Sequence, residues 1–223
     1  VGVASGTDAL ILSMKALGIG KGDEVIVPSH TAVPTVSAVC QVGATPVFVD
    51  VEKDFYTIDI NTIQAVITSQ TKAIIAVHLY GQPCCMDSLI EISKKNHLFL
   101  IEDCAQAVGT LYNGQAVGTF GDVGCFSFFP TKNLGAVGDA GAIVANGPSV
   151  VEKIKCLRQY GWDENRVSQV VGMNSRLDEL QAALLRVKLQ HLDKAIDFRN
   201  AIALQYEELL GHILDIVLPK RRI

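Results

Sequence analysis

The sequence contains no extended block of lysine or arginine residues, and its formal net charge is −4. Nucleic acids and anionic membrane surfaces are recognised through clustered basic residues, so neither is expected as the main partner. A small molecule is therefore the better-supported ligand.

Long apolar runs and CxxC cysteine motifs are also missing. No run approaches the roughly 18 residues of a membrane-spanning helix, and the opening segment VGVASGTDAL has neither the charged region nor the cleavage site of a secretory signal. The six cysteines lack CxxC spacing and lie in apolar segments, which predicts small buried side chains in a reducing compartment. These absences predict a cytoplasmic protein without a metal site.

What the sequence does contain is a regular alternation of strand-like and helix-like segments. With 223 residues, 49% of them hydrophobic, it is long enough for one large α/β domain. Short apolar, β-branched segments predict strands at 24–29, 45–51, 72–79, 98–104, 125–129 and 141–146. Helical periodicity predicts helices at 7–18, 35–43, 60–68 and 86–96, and one or two long helices from about residue 176. Apolar strands separated by helices predict a mostly parallel sheet buried on both faces.

Polar residues follow two of these elements at places where ligands gather in α/β sheets. In ASGTDAL, Gly6 and Thr7 open a helix whose free N–H groups suit a phosphate, although an ordinary helix cap has the same pattern. In IEDCAQAVG, Asp103 and Gln106 follow a buried strand. A carboxylate there requires a cationic or hydrogen-bonding partner, or else caps the next turn.

A third candidate lies in SFFPTKNLGAVGDAG, where Lys132 follows an apolar strand and precedes a glycine-rich loop. A lysine amine in an apolar site can form a Schiff base with an aldehyde, and Ser127 can add a hydroxyl to a phosphate site. Alone, such a lysine is more often a surface residue. Together with a phosphate site and an acid after a strand, it matches the groups that pyridoxal 5'-phosphate (PLP) requires.

Seven segments, in order and in approximate spacing, resemble the DegT/DnrJ/EryC1/StrS family of PLP-dependent nucleotide-sugar aminotransferases. They are SGTDAL, DEVIVPSHT, GATPVFVDV, TKAIIAVHLYGQP, IEDCAQAVG, FSFFPTKNLGAVGDAGAI and GMNSRLDELQAALL. The resemblance covers nearly the whole chain and implies the three-layer α/β/α fold of type I PLP-dependent transferases.

The resemblance also implies roles for individual residues. Lys132 would carry the cofactor as a Schiff base, Asp103 would pair with its ring nitrogen, and Gln106 would lie beside its ring hydroxyl. The implied phosphate ligands are Gly6, Thr7, Ser127 and, across a homodimer interface, Asn174 of the partner subunit.

The implied reaction transfers an amino group from a donor, usually L-glutamate, to a nucleotide-linked keto-6-deoxy sugar, with dTDP as the expected nucleotide. The segments HLYGQP and KNLGAVGDAGA favour a 3-keto over a 4-keto sugar by analogy. Dehydratase relatives carry histidine where this chain has Lys132, which argues against that branch. A cofactor-binding chain without turnover remains the alternative. A nicotinamide-dependent dehydrogenase is disfavoured because no GxGxxG follows the first strand.

The chain departs from the family pattern in two respects. Ala32 stands where many relatives have an aromatic residue stacked on the cofactor ring, so His30 or another group would have to cover that face. Residues 1–175 are predicted to form the PLP-binding large domain, and residues 176–223 its helical end. That end is predicted to lead toward a C-terminal small domain that lies outside this sequence.

Overall fold

The computed structural model describes residues 1–222 and contains one central sheet flanked by helices. The strands are β1 Gly2–Val3, β2 Glu24–Pro28, β3 Thr45–Val49, β4 Thr71–Val77, β5 Phe99–Asp103, β6 Leu111–Tyr112, β7 Gln115–Ala116, β8 Val123–Ser127 and β9 Gly141–Ala145. The helices are α1 Gly6–Ala16, α2 Val33–Gln41, α3 Ile60–Val66, α4 Met86–Asn96, α5 Pro148–Leu157, α6 Glu179–Leu189 and α7 Leu192–Leu210.

The strand order in the seven-stranded sheet is β1-β9-β8-β5-β4-β2-β3. Strands β8, β5, β4, β2 and β3 pair in parallel, whereas β9 is antiparallel to both β8 and β1. The predicted mostly parallel α/β sheet is therefore confirmed. Asp103, the last residue of β5, pairs in register with Val77 and Cys125, so it lies at the carboxyl edge in the middle of the sheet.

Successive side chains of the central strands enter two different apolar clusters. In β2, Val25 and Val27 pack into one cluster and Ile26 into the other. The same alternation occurs in β4, where Ile75 and Ile74 belong to opposite clusters. Because both faces are buried, these strands are apolar throughout rather than alternating.

Strand β3 differs from this expectation because it forms the edge of the sheet. Its Phe48 side chain is exposed, so β3 is not buried on both faces as predicted. The strand at the opposite edge, β1, is only two residues long, and the sequence patterns did not predict it. An edge strand has one neighbour fewer, and its burial depends on what covers it rather than on its own composition.

The sequence patterns also missed helix α5, which begins with Pro148 directly after Gly147. Proline at the first helical position was the available signal. The long helical stretch divides into α6 and α7, and the segment around Asn113 and Gly114 forms the hairpin β6–β7. Of the cysteines expected to be buried, Cys40 is exposed. The helices within residues 1–222 are too short or too polar to span a lipid bilayer.

Strand β8 approaches the preceding loop so closely that one glycine has no room for a side chain. A Cβ atom on Gly124 would lie 2.3 Å from the Gly118 carbonyl oxygen. Both atoms belong to the main chain, so a methyl group there can be accommodated only by moving a strand or the loop.

We therefore expect Gly124→Ala to lower the free energy of unfolding by about 2 kcal/mol or more, measured by urea denaturation. Gly20→Ala is the matched control, because its Cβ would lie 3.5 Å from the nearest atom, the Val42 carbonyl oxygen. Equal stability losses in the two variants would contradict this explanation.

Candidate functional site

A cavity of about 250 Å³ opens at the carboxyl edge of the sheet. It lies between the N-terminus of α1, the start of α2, the end of β5 and the loop after β8. The predicted site residues that line it together are Gly6, Thr7, Asp103, Ser127 and Lys132. Gln106 lines a smaller adjoining cavity, which shares Asp103 and Lys132 with the first. Four separate segments of the chain therefore converge on one site.

The N-terminus of α1 forms one end of this cavity. Ser5 caps the helix by accepting a hydrogen bond from the Asp8 N–H at 3.0 Å. The N–H groups of Gly6 and Thr7 belong to the first turn, where no intrahelical acceptor exists. A Cβ on Gly6 would lie 2.6 Å from the Ser127 Cβ, so glycine lets the helix end approach β8. The resulting concave group of donors suits an anion.

Asp103 forms the floor of the cavity and is almost fully buried. One carboxylate oxygen accepts a hydrogen bond from Thr35 Oγ1 at 2.8 Å and the other from the Ala105 N–H at 3.1 Å. Burial raises the pKa of this carboxyl group, and the two hydrogen bonds, His78 and Lys132 only partly oppose the rise. A cation bound against Asp103 would therefore be strongly favoured.

Sequence reasoning missed Thr35, which holds the Asp103 carboxylate. Its hydroxyl lies 2.8 Å from that of Thr31, four residues earlier and just before α2, so the two threonines and Asp103 form a chain of hydrogen bonds. The spacing of the two threonines was visible in the sequence, but nothing there connected them to Asp103.

Lys132 lies in the turn that follows β8, and its side chain is half-buried on the cavity wall. The turn is closed by the Lys132 N–H, which donates to the Phe129 carbonyl at 2.9 Å. The chain then returns beside Phe128, whose N–H donates to the Ala140 carbonyl. Within residues 1–222 the Lys132 ammonium group makes no salt bridge.

Helix α6 supports the loop that carries Lys132, a contribution that sequence reasoning also missed. Gln181 accepts a hydrogen bond from the Val137 N–H at 3.0 Å. Lys188 donates to the Gly135 carbonyl, and Leu185 packs against Leu134 in a small apolar cluster. The helical end of the chain therefore fixes the glycine-rich loop from outside.

A buried carboxylate directly precedes Asp103 in β5. Glu102 is fully buried and accepts hydrogen bonds from the N–H groups of Gly118, Phe120 and Gly121 at 2.7–2.8 Å. Its fourth donor is His78 Nε2, at 3.0 Å. Burial alone would raise the pKa of Glu102, but the hydrogen bonds from His78, Gly121 and Gly118 together lower it.

His78 and Cys104 have structural roles in this network. The Cys84 N–H donates to His78 Nδ1 at 3.1 Å, so the ring proton lies on Nε2 and is donated to Glu102. His78 is therefore a structural residue at the end of β4. His78, Glu102 and Cys104 are close enough to hold a metal ion, but both nitrogens of His78 are already hydrogen-bonded. Burial raises the pKa of the Cys104 thiol, which leaves it inert.

His30 does not line either cavity. Its Nε2 atom lies 3.1 Å from the Tyr80 hydroxyl, and its ring contacts those of Tyr80 and Tyr56. Ala32 lines both cavities, so the wall that many relatives would fill with an aromatic ring is here a methyl group.

Asn174 lies outside the cavity and is exposed. Its Oδ1 atom accepts a hydrogen bond from Arg176 Nε at 2.9 Å. The next residue, Ser175, donates to Asp8 Oδ2 at 2.6 Å and accepts from the Ala4 N–H. Asn174 is therefore tethered near the start of α1 without contributing to the cavity of its own chain.

Residues 1–221 match the DegT/DnrJ/EryC1/StrS aminotransferase family. The chain is 53% identical over 221 residues to the UDP-N-acetyl-3-dehydro-alpha-D-glucosamine 3-aminotransferase of Acidithiobacillus ferrooxidans, covering 99% of this chain and 59% of the relative. It is 47% identical over 219 residues to the dTDP-3-amino-3,4,6-trideoxy-alpha-D-glucose transaminase of Streptomyces venezuelae, covering 98% of this chain and 58% of the relative.

Two solved structures share the fold. S. venezuelae DesV in complex with a ketimine intermediate superimposes with a TM-score of 0.97 at 46% identity, covering 100% of this chain and 60% of DesV. NtdA from Bacillus subtilis with bound cofactor PMP gives a TM-score of 0.91 at 33% identity, covering 99% of this chain and 51% of NtdA.

The fold is thus the three-layer α/β/α fold of PLP-dependent aminotransferases, as predicted. The chain belongs to the DegT/DnrJ/EryC1/StrS aminotransferase family, and the resemblance found in the sequence is confirmed. The chain spans about three-fifths of the length of the curated relatives it matches, 59% and 58% for the two named above.

The Glu102 network predicts a specific pH dependence of stability. Because the pKa of Glu102 is lowered in the folded state, its stabilisation is present above the ordinary value of 4.5 and is lost as the pH falls through the folded value. We expect Glu102→Gln to lower the free energy of unfolding by about 3 kcal/mol at pH 7 and by less below pH 4.

Urea denaturation at both pH values measures this difference, with the exposed Glu91→Gln as the matched control. The raised pKa of Asp103 changes stability with pH in the opposite direction. Because Asp103 is present in the wild type and in both variants, its contribution cancels when their stabilities are compared. A pH-independent loss in Glu102→Gln would contradict an ionised Glu102.

Proposed function

We propose that this chain binds PLP in the 250 Å³ cavity and belongs to an enzyme that transfers an amino group to a nucleotide-linked keto sugar. The observation that carries the proposal is the convergence of three groups on that cavity: a lysine, a buried carboxylate and a free helix N-terminus. Each is common alone, but together they match the three polar ends of one cofactor.

The residues present fit this cofactor. The close approach of Gly6 to Ser127 leaves a concave donor group, in which the N–H groups of Gly6 and Thr7 and the Ser127 hydroxyl would hold the phosphate. Asp103, whose carboxyl pKa is raised by burial without a bound cation, would pair with the protonated ring nitrogen. Lys132 would attach to the aldehyde carbon. Ligand pockets are usually about 300–1,000 Å³, and this smaller cavity suits one aromatic ring with a phosphate.

When bound, PLP supplies an electron sink that stabilises negative charge on the carbon losing or gaining a proton. The chain's own residues do the rest. Asp103, oriented by Thr35 and Ala105, would keep the ring nitrogen protonated. The Lys132 amine would act as the general base and acid that moves a proton between the amino donor's carbon and the cofactor.

The proposed acceptor is a keto sugar linked to a nucleotide, with the 3-keto sugars favoured over the 4-keto sugars and L-glutamate as amino donor. The named relatives from A. ferrooxidans and S. venezuelae support this choice, since both names place the amino group at carbon 3. Lys132 at the site also supports amino transfer over the dehydratase alternative.

We further propose a homodimer in which Asn174 reaches the cofactor phosphate of the partner subunit. Its exposed position outside its own cavity, fixed near α1 through Ser175, supports this arrangement. Residues 1–175 would form the cofactor-binding unit, and the helices beyond would brace its glycine-rich loop, as the contacts of Gln181 and Lys188 do here.

The first test is cofactor attachment. We expect the wild-type chain with added PLP to develop a visible absorption band, and borohydride reduction to leave a stable adduct on the Lys132 peptide in mass spectrometry. Lys132→Ala should lose both signals, because Lys132 is the one lysine among residues 1–222 that lines the cavity. The exposed Lys95→Ala serves as control and should keep them. An adduct on another lysine would contradict the assignment.

The second test separates cofactor binding from turnover. Asp103→Asn keeps the shape of the side chain but cannot hold a positive charge on the ring nitrogen. We expect it to retain the reducible adduct and to slow amino transfer from glutamate by roughly 100-fold or more, measured as 2-oxoglutarate formation. The exposed Asp197→Asn is the control. Full activity in Asp103→Asn would contradict the proposed role.

A further inference from the structure

The turn after β4 contains a strained residue beside the site. Tyr80 has a φ of 59° and the following Gly81 a φ of 81°, so two consecutive residues adopt the left-handed conformation. Glycine accepts this conformation freely, whereas a tyrosine is disfavoured in it. Such strain persists only where the surroundings impose it, and it is concentrated at functional sites.

Burial of the Tyr80 side chain does not explain the strain, because 70% of the residue is exposed. The main chain of the turn is instead held by three hydrogen bonds. The Gly81 N–H donates to the His78 carbonyl, the Gln82 N–H to the Leu79 carbonyl and Thr110 Oγ1 to the Gly81 carbonyl. These contacts hold the residues on both sides of Tyr80.

The main-chain N–H of Tyr80 connects this turn to the site. Its N–H donates to Gln106 Oε1 at 2.7 Å. Gln106 lines the small cavity that it shares with Asp103 and Lys132. An amide group has one acceptor end and one donor end. Because Tyr80 engages the acceptor end, the Nε2 donor is left for a ligand in the cavity.

We propose that Tyr80 is a positioning residue whose strained main-chain N–H fixes the Gln106 amide so that Nε2 donates to an anionic ring oxygen of the bound cofactor. The inference rests on the proposed function. Without the Tyr80 N–H, the amide could rotate and turn its oxygen toward that anion, which would repel it. The left-handed conformation at Tyr80, which places this N–H against Gln106 Oε1, is thus the means by which a donor, rather than an acceptor, faces the ring.

The test is the pH dependence of the visible absorption of the PLP-loaded chain. A donor on the ring oxygen stabilises its deprotonated form, so removing that donor should raise the midpoint of the absorption titration. A hydrogen bond to a charged group predicts a rise of about one to two pH units in Gln106→Ala. In Gln106→Glu, which keeps an acceptor for Tyr80 but replaces the donor by a carboxylate oxygen, the rise should be larger.

Two variants separate the main chain of Tyr80 from its side chain. Tyr80→Gly keeps the N–H and removes the strain, so the midpoint should stay at the wild-type value. Tyr80→Val should force the turn out of the left-handed region and raise the midpoint as Gln106→Ala does, with no further rise in the double variant. His30→Ala, which removes only the partner of the Tyr80 hydroxyl, should leave the midpoint unchanged.

An unchanged or lowered midpoint in Gln106→Ala would overturn the donor role of Gln106. A normal midpoint in folded Tyr80→Val would overturn the role of Tyr80. If Tyr80→Val does not fold, Gly81→Val strains the same turn at the next residue and is expected to raise the midpoint. Failure of the proposed function is distinguishable, because the wild-type chain would then show no visible band with PLP.

Discussion

The buried carboxylate of Glu102 is the constraint on which the site depends. Its four hydrogen-bond donors come from the end of β4 and from the loop at residues 118–121, so one side chain joins segments that the sequence separates. A buried charge without such partners would be very unfavourable. The four hydrogen bonds to Glu102 therefore fix the end of β5. Asp103, the last residue of that strand, lines the site.

Around that fixed strand end, the site is completed by elements that approach unusually closely. Gly6 lets α1 reach β8, and the loop after β8 is held from outside by Gln181 and Lys188. Local preferences are set aside at two residues that bear on the site: Asp103 is buried although its charge is disfavoured there, and Tyr80 adopts a left-handed conformation. Natural sequences depart from local rules mainly at functional sites. Asp103 lines the cavity itself, and Tyr80 contacts it through Gln106.

Most of the fold could be predicted because its signals are local. Buried parallel strands are apolar throughout, and helices repeat their apolar residues every three or four positions, so alternation alone identified the α/β sheet. The exceptions were places where neighbours decide the outcome. Strand β1 is two residues long and exists only because β9 lies beside it. Phe48 is exposed because it lies on the face of the edge strand β3 opposite Val47 and Val49, which pack into the core.

For the site, the sequence by itself determined which reactive groups exist and where each follows its strand or opens its helix. This was enough to predict Lys132, Asp103 and the start of α1, and the cavity brings these together. Only the tertiary structure decided the partners of those groups. Thr35 and Asp103 are 68 positions apart in the sequence, and Gly135 and Lys188 are 53 positions apart. The physical reason is that hydrogen bonds between distant segments depend on how buried elements pack, which no local pattern records.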